Sequence, residues 1–251
     1  MGGGVRLNDI LRYFVTIGEV PSRDLAIKEF EQLIDAFGYK FYCIFHEPKP
    51  IENPAQLIVA ANWEQRWIER YVARKYIVTD PTIKFLLRAN RSFSWKTAVE
   101  AYEGHPRYRR MQKMMQDGKA HGLVSGHIFP VFGRNGLMGA TTLGGPKEIE
   151  LSPAETMLLE TAMRATYFRL LEFGGTTYAD RVGDGMDIVL THREVQALSS
   201  MADGMTSPEI AEMLKVAPTT VDWYGASVQE KLDARNRIHA VALAIRKGLI
   251  P

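Results

Sequence analysis

The sequence predicts two units of different class: an α/β/α sandwich with a central antiparallel sheet (α+β in kind), then a small all-α bundle of four short helices. Three observations carry this. Strand-like runs alternate with helical stripes in the first part of the chain, a glycine-rich polar stretch breaks every apolar period near 174–188, and beyond 189 no strand pattern recurs. A chain of 251 residues suits one large domain or two modest ones, and 46% hydrophobic content is enough for real cores. The expected organisation is a first domain at 1–173, a flexible linker at 174–188 and a second domain at 189–251.

Taken in order, apolar residues recur at helical spacing over about 22–36, 63–75, 80–89, 106–121 and 153–172. Phe41-Tyr42-Cys43-Ile44-Phe45, Leu57–Ala60, Gly126–Phe132 and Leu137–Leu143 have the β-branched and aromatic composition of strands, and Trp95 is placed on a further one. Gly133-Arg134-Asn135-Gly136 reads as a hairpin turn. Three helix starts are written as capping boxes: Ser152-Pro153-Ala154-Glu155, Thr191-His192-Arg193-Glu194 and Thr206-Ser207-Pro208-Glu209. Each offers a hydroxyl to the amide three residues on, and a Glu that reaches back to the cap amide.

Composition removes several classes of function. No apolar run approaches the roughly 20 residues of a membrane span, and Met1-Gly2-Gly3-Gly4-Val5-Arg6 opens without a secretory segment, so a cytoplasmic protein is expected. Cys43 is the single cysteine, and the six histidines lack paired metal-ligand spacing, so no metal site and no cofactor are expected. Neither a GxSxG motif nor a second carboxylate close to Asp80 is present, which argues against a hydrolase and against an enzyme generally. Net charge is only +2, so any DNA binding must come from a local surface.

In the second domain, Lys215-Val216-Ala217 separates two helices, and Pro218 suits the first turn of the later one. Two helices across so tight a turn have helix-turn-helix geometry. On a helical wheel Val221, Val228 and Leu232 face the bundle, while Thr219, Trp223, Ala226, Ser227 and Glu230 face outward. Leu190-Thr-His-Arg-Glu194, Leu198, Gly204-Met-Thr206, Glu209-Ile-Ala211, Leu214, Thr220-Val221, Lys231-Leu232, Asn236-Arg237 and Ala240-Val241-Ala242 closely resemble the LuxR/FixJ-type helix-turn-helix. Thr206, Thr219, Thr220, Trp223, Ser227 and Lys231 are the candidate DNA contacts. The other reading is a bundle that binds only protein: 190–251 holds seven basic and seven acidic residues, and Asp222 and Glu230 lie near the reading face. Tyr224 and Ala217 depart from the family's usual His and Ser, and Gly225 costs about 1 kcal/mol in a helix interior.

In the first domain, Trp67 and Tyr71 lie four apart and so share a helix face, and Asp80-Pro81 begins the next helix. On residues alone these are core aromatics and a helix cap. Their spacing with Trp95, together with Gly126, Pro130 and Gly139-Ala140-Thr141-Thr142, resembles the autoinducer-binding domain of LuxR-type quorum-sensing receptors. The resemblance covers essentially the whole chain. It implies a homodimeric transcriptional activator that binds an N-acyl-homoserine lactone, acyl or aroyl, and a palindromic promoter site, and works with RNA polymerase. It further implies that Trp67 donates to the lactone carbonyl, Asp80 accepts the amide N–H, Tyr71 donates to the acyl carbonyl, Thr142 adds a hydroxyl and Trp95 walls the ring. Trp63 stands where a Tyr is frequent and reshapes the tail pocket. The alternative is a regulator of the same build that answers to another small molecule, or to none.

Overall fold

The computed structural model describes residues 3–48, 57–133, 136–174 and 188–251; Arg134 and Asn135 of the expected turn, and 175–187 of the expected linker, lie outside the described residues. The chain parts into two compact units, the first Met1–Gly133 with Leu137–Gly175 and the second Thr176–Pro251 with Arg134–Gly136. The first holds α1 (Gly3–Ile17), α2 (Arg23–Ala36), β1 (Phe41–His46), β2 (Ile58–Ala61), α3 (Gln65–Ala73), a 3-10 turn (Tyr76–Val78) and α4 (Pro81–Leu86). It continues with β3 (Phe93–Ser94), α5 (Trp95–Glu100), α6 (Tyr108–Lys119), β4 (Ser125–Gly133), β5 (Gly136–Gly145) and α7 (Pro153–Phe173). The strands form one antiparallel sheet in the order β2-β1-β5-β4-β3. In the middle of β1, Cys43 stands opposite Ala61 on one side and Thr142 on the other.

A strand turns alternate side chains to opposite faces, so a central strand serves two cores. Tyr42 and Ile44 of β1 pack with Phe129, Val131 and Leu143 against α1, α2 and α7. Cys43 and Phe45 join Ile128 and Ala140 against Trp67 of α3, Leu86 of α4, Trp95 and Ala98 of α5 and Met114 of α6. This is the sandwich the sequence predicts, with two helices it did not. In α1, Ile10, Tyr13 and Ile17 are buried, and the Tyr13 hydroxyl meets Thr166 Oγ1 of α7 at 2.5 Å. The strand expected at Trp95 ends at Ser94, whose hydroxyl accepts from the Thr97 amide at 3.0 Å and so starts α5 at Trp95 itself. The Trp95 ring is seated over two glycines: a Cβ at Gly126 would lie 2.5 Å from it and against the Leu143 carbonyl, and one at Gly144 would also lie 2.5 Å from it.

The second unit is α8 (His192–Ala202), α9 (Ser207–Leu214), α10 (Pro218–Lys231) and α11 (Arg237–Arg246). All three expected capping boxes are formed, with the Glu carboxylate accepting from the cap amide at 2.8 Å in Ser152, 2.7 Å in Thr191 and 2.7 Å in Thr206. Val221, Val228 and Leu232 are buried as the wheel requires. Gly225, costly in a helix interior, has a packing reason: a Cβ there would stand 3.3 Å from Met201 of α8. The Glu194 carboxylate, 1% exposed, accepts from the Ser227 hydroxyl at 2.6 Å and pairs with Lys231 at 2.7 Å. Burial pushes its pKa up, but Lys231, Ser227 and Thr191 together outweigh burial and hold it at about 2.

Two outcomes are expected. A group held below its unfolded value of 4.5 contributes stability above that pH and loses it as pH falls toward about 2. Glu194→Gln therefore flattens this acid limb of a pH series of thermal unfolding, and costs about 1–3 kcal/mol at neutral pH. Gly126→Ala forces the Trp95 ring aside and costs about 1–3 kcal/mol in the same assay, whereas Gly18→Ala, with nothing within 4 Å, stays within about 0.5 kcal/mol.

Candidate functional site

Between the sheet and the layer α3–α6 lies an apolar cavity of about 170 Å³. Trp63, Trp67, Tyr71, Asp80, Trp95 and Thr142, all six expected ligand residues, line it. Trp67 and Tyr71 reach it from successive turns of α3, their rings edge-on at 5.8 Å, and Trp67 stacks on Tyr76 at 6.3 Å. Asp80 enters as the N-cap of α4, followed by Pro81 in the first turn. The cap role and the cavity role are held by the same carboxylate. Its Oδ1 accepts from the Thr82 amide at 2.8 Å and hydroxyl at 2.7 Å, and its Oδ2 from the Tyr71 hydroxyl at 2.7 Å.

Burial raises the Asp80 pKa, and the donors of Thr82 and Tyr71 oppose that rise. Burial also lifts the Tyr71 phenol well above its ordinary value, the more so for facing the Asp80 charge, so Tyr71 stays a donor. Trp95 Nε1 donates to Thr142 Oγ1 at 3.1 Å, which leaves the Thr142 hydroxyl proton to point elsewhere. The indole nitrogens of Trp63 and Trp67 are buried with no hydrogen-bond partner. An orphaned buried N–H costs about 1–3 kcal/mol, so two of them lining one cavity are donors awaiting acceptors. The Tyr71 hydroxyl, expected to face an acyl carbonyl, is instead engaged by Asp80.

Sequence reasoning missed Thr82, and it missed Cys43, Phe45, Met114, Met115 and Gly118, which complete the apolar lining. The signal for Thr82 was its place two residues after a capping Asp, where backbone and hydroxyl both reach the carboxylate. Among the described residues no group of three or more His, Cys, Asp or Glu could hold a metal ion, and no helix is long and apolar enough to cross a membrane.

In the second unit, α9 and α10 form the helix-turn-helix pair. Thr206, Thr219 and Trp223 are exposed, Trp223 at 62%, and Thr220 is half-buried. The Thr206 hydroxyl is turned onto Glu209 at 2.5 Å. Ser227 is half-buried and Lys231 exposed, and both are also engaged inside the unit. The wheel turns Ser227 outward, and Glu194 of α8 takes both its hydroxyl and the Lys231 ammonium. Asp222, near the reading face, accepts from the Ser207 hydroxyl at 2.6 Å, and Arg237 donates to Ser207 at 2.9 Å, which ties α9, α10 and α11 together.

Comparison with known proteins finds matches over both units. Residues 22–169 match the family described as "Autoinducer binding domain", and residues 188–244 match "Bacterial regulatory proteins, luxR family". The chain is 29% identical over 230 residues to the transcriptional activator protein BjaR1 of Bradyrhizobium diazoefficiens, covering 90% of this chain and 89% of that one. It is 30% identical over 205 residues to the quorum sensing-dependent transcriptional regulator VjbR of Brucella ovis, covering 79% and 76%. The fold is similar to that of SdiA solved in complex with octanoyl-rac-glycerol (from Escherichia coli), with a TM-score of 0.58 at 21% identity over 98% of this chain and 95% of that chain. An apolar cavity with stranded donors, a helix-turn-helix pair and a match across both units have one meaning: the chain belongs to the luxR family of bacterial regulatory proteins, and is a ligand-responsive transcriptional regulator with an autoinducer-binding domain.

Proposed function

We propose that the effector is an N-acyl-homoserine lactone, and that the protein acts by binding rather than by catalysis. The observation that carries this is the pair of unpartnered indole N–H groups beside the Asp80 carboxylate in one apolar cavity. An N-acyl-homoserine lactone presents an acceptor, a donor and an acceptor along one edge, with an apolar tail behind. Trp67 donates to the lactone carbonyl, and the remaining lone pair of Asp80 takes the amide N–H. The acyl carbonyl takes the Trp63 N–H, with the Thr142 hydroxyl nearby, while Tyr71 holds the carboxylate in register. Trp95 walls the lactone ring. Indole only donates and an ionised carboxylate only accepts, so the polarities agree.

Bound ligand stabilises the first unit by mass action and permits a homodimer, which sets two copies of α10 on a palindromic promoter element and works with RNA polymerase. Thr206, Thr219, Thr220, Trp223, Ser227 and Lys231 are the residues that this unit offers to that element, the last two from beside Glu194. The domain limits proposed are 1–173 and 189–251, joined by the linker 174–188, and the location is the cytoplasm.

The test is a thermal-shift panel of acyl- and aroyl-homoserine lactones, with octanoylglycerol included. A ligand at about 100 times its Kd adds roughly 2.7 kcal/mol, a melting shift of several degrees. Asp80→Asn and Trp67→Phe are each expected to weaken binding about ten- to a hundredfold, the loss of one hydrogen bond to a charged or buried partner. Stabilisation by octanoylglycerol alone, or by nothing in the panel, overturns the lactone assignment and leaves the regulator reading in place.

A further inference from the structure

The helices that wall the cavity carry an unbalanced charge on their outer side. From 64 to 120, the stretch that supplies α3–α6, there are thirteen basic residues and six acidic. Two of the six, Asp80 and Asp117, are buried, and Glu64 faces His121 at 2.8 Å. The opposite layer is reversed: α1, α2 and α7 hold six basic residues and eight acidic. The first unit is thus polarised across its sheet, and the positive pole is the outer face of α3 and α6.

Part of this charge serves the fold. Asp117 pairs with Arg70 at 3.6 Å and Lys113 at 3.0 Å and accepts from the Tyr76 hydroxyl, and Arg110 caps the end of α3 by donating to the Arg74 carbonyl at 2.8 Å. One buried carboxylate and one helix end do not account for the rest. Arg66, Lys75, Arg107 and Arg109 are exposed, and none has an ion pair among the described residues. Arg66, Arg70 and Arg74 follow one another at intervals of one turn, about 6 Å along the helix. Arginine predominates, and its planar fork suits phosphate oxygens better than a point charge does.

We propose that this face binds the sugar-phosphate backbone of DNA, and so adds sequence-independent attraction to what the second unit supplies locally. That unit has seven basic and seven acidic residues over 190–251, no net pull on a polyanion, although it belongs to a DNA-binding family. The base-reading helices then confer sequence choice, and the α3/α6 face confers affinity and its salt dependence.

The experiment is fluorescence anisotropy of the full chain on a short random-sequence duplex across a salt series. Arg66→Gln/Lys75→Gln/Arg109→Gln touches no cavity-lining residue and is expected to leave the melting temperature in place. It should make the slope of log K against log salt shallower by about 0.9 per lost phosphate contact, with about 2–3 in total. The single variant Arg109→Gln should move it by about 0.9, and the corresponding Lys-for-Arg exchange should restore it. An unchanged slope and affinity in both variants overturns the proposal. A triple variant that binds DNA as before but loses RNA polymerase-dependent transcription overturns it too, and assigns the face to an acidic protein surface instead.

Discussion

A carboxylate cannot sit inside an apolar cavity without donors, and the first unit is arranged around that requirement at Asp80. Thr82 answers it with an amide and a hydroxyl, and Tyr71 with a phenol, each within 2.8 Å. Meeting it fixes much else. The carboxylate's hold on the Thr82 amide begins α4; the phenol's approach fixes how α3 turns its aromatic face; and what remains of the acceptor is directed at whatever fills the cavity. The polar set is small, and every member but two is satisfied inside the protein. Those two, the Trp63 and Trp67 N–H groups, are buried donors with no partner in the protein, so an acceptor placed in the cavity gains most there.

The same logic governs the second unit at Glu194. Its carboxylate closes the capping box of α8 and then reaches α10, where Ser227 and Lys231 complete its partners. The helix-turn-helix is therefore fixed from behind. A buried ion pair of this kind contributes little net energy over an apolar one, but it permits only one arrangement of its helices. For a unit that must present α10 at a fixed angle, that restriction matters more than the energy.

Much of this was legible in the sequence because it is local. Capping boxes span four residues, a helical stripe repeats every three or four, and a strand alternates; each declares itself inside a short window. What escaped was either faint or distant. α1 hid behind its glycine-rich start, and its stripe of Ile10, Tyr13 and Ile17 shares the helix with exposed Leu7, Leu11 and Val15, which blurs the period. α5 is six residues long, too short for a stripe, and only the Ser94 cap marks it. The engagement of Ser227 and Lys231 depends on a carboxylate 33 and 37 residues earlier in the chain, which no wheel drawn on α10 contains. The expected cavity residues came from resemblance, while the partnering of Tyr71 with Asp80 came from the fold.

The two glycines beneath Trp95 give the site a property that its polar contacts do not reveal. Gly126 and Gly144 have no side chain to offer, yet the Trp95 indole can come this close to the sheet only because both positions lack a Cβ. Part of the cavity wall is thus specified by omission. Positions such as Met114, Met115 and Phe45 can exchange one apolar shape for another and retune the tail of the cavity in small steps. The glycine floor admits no such intermediate. The cavity thus has two kinds of wall, one that tolerates exchange of apolar shapes and one set by backbone clearance rather than polarity.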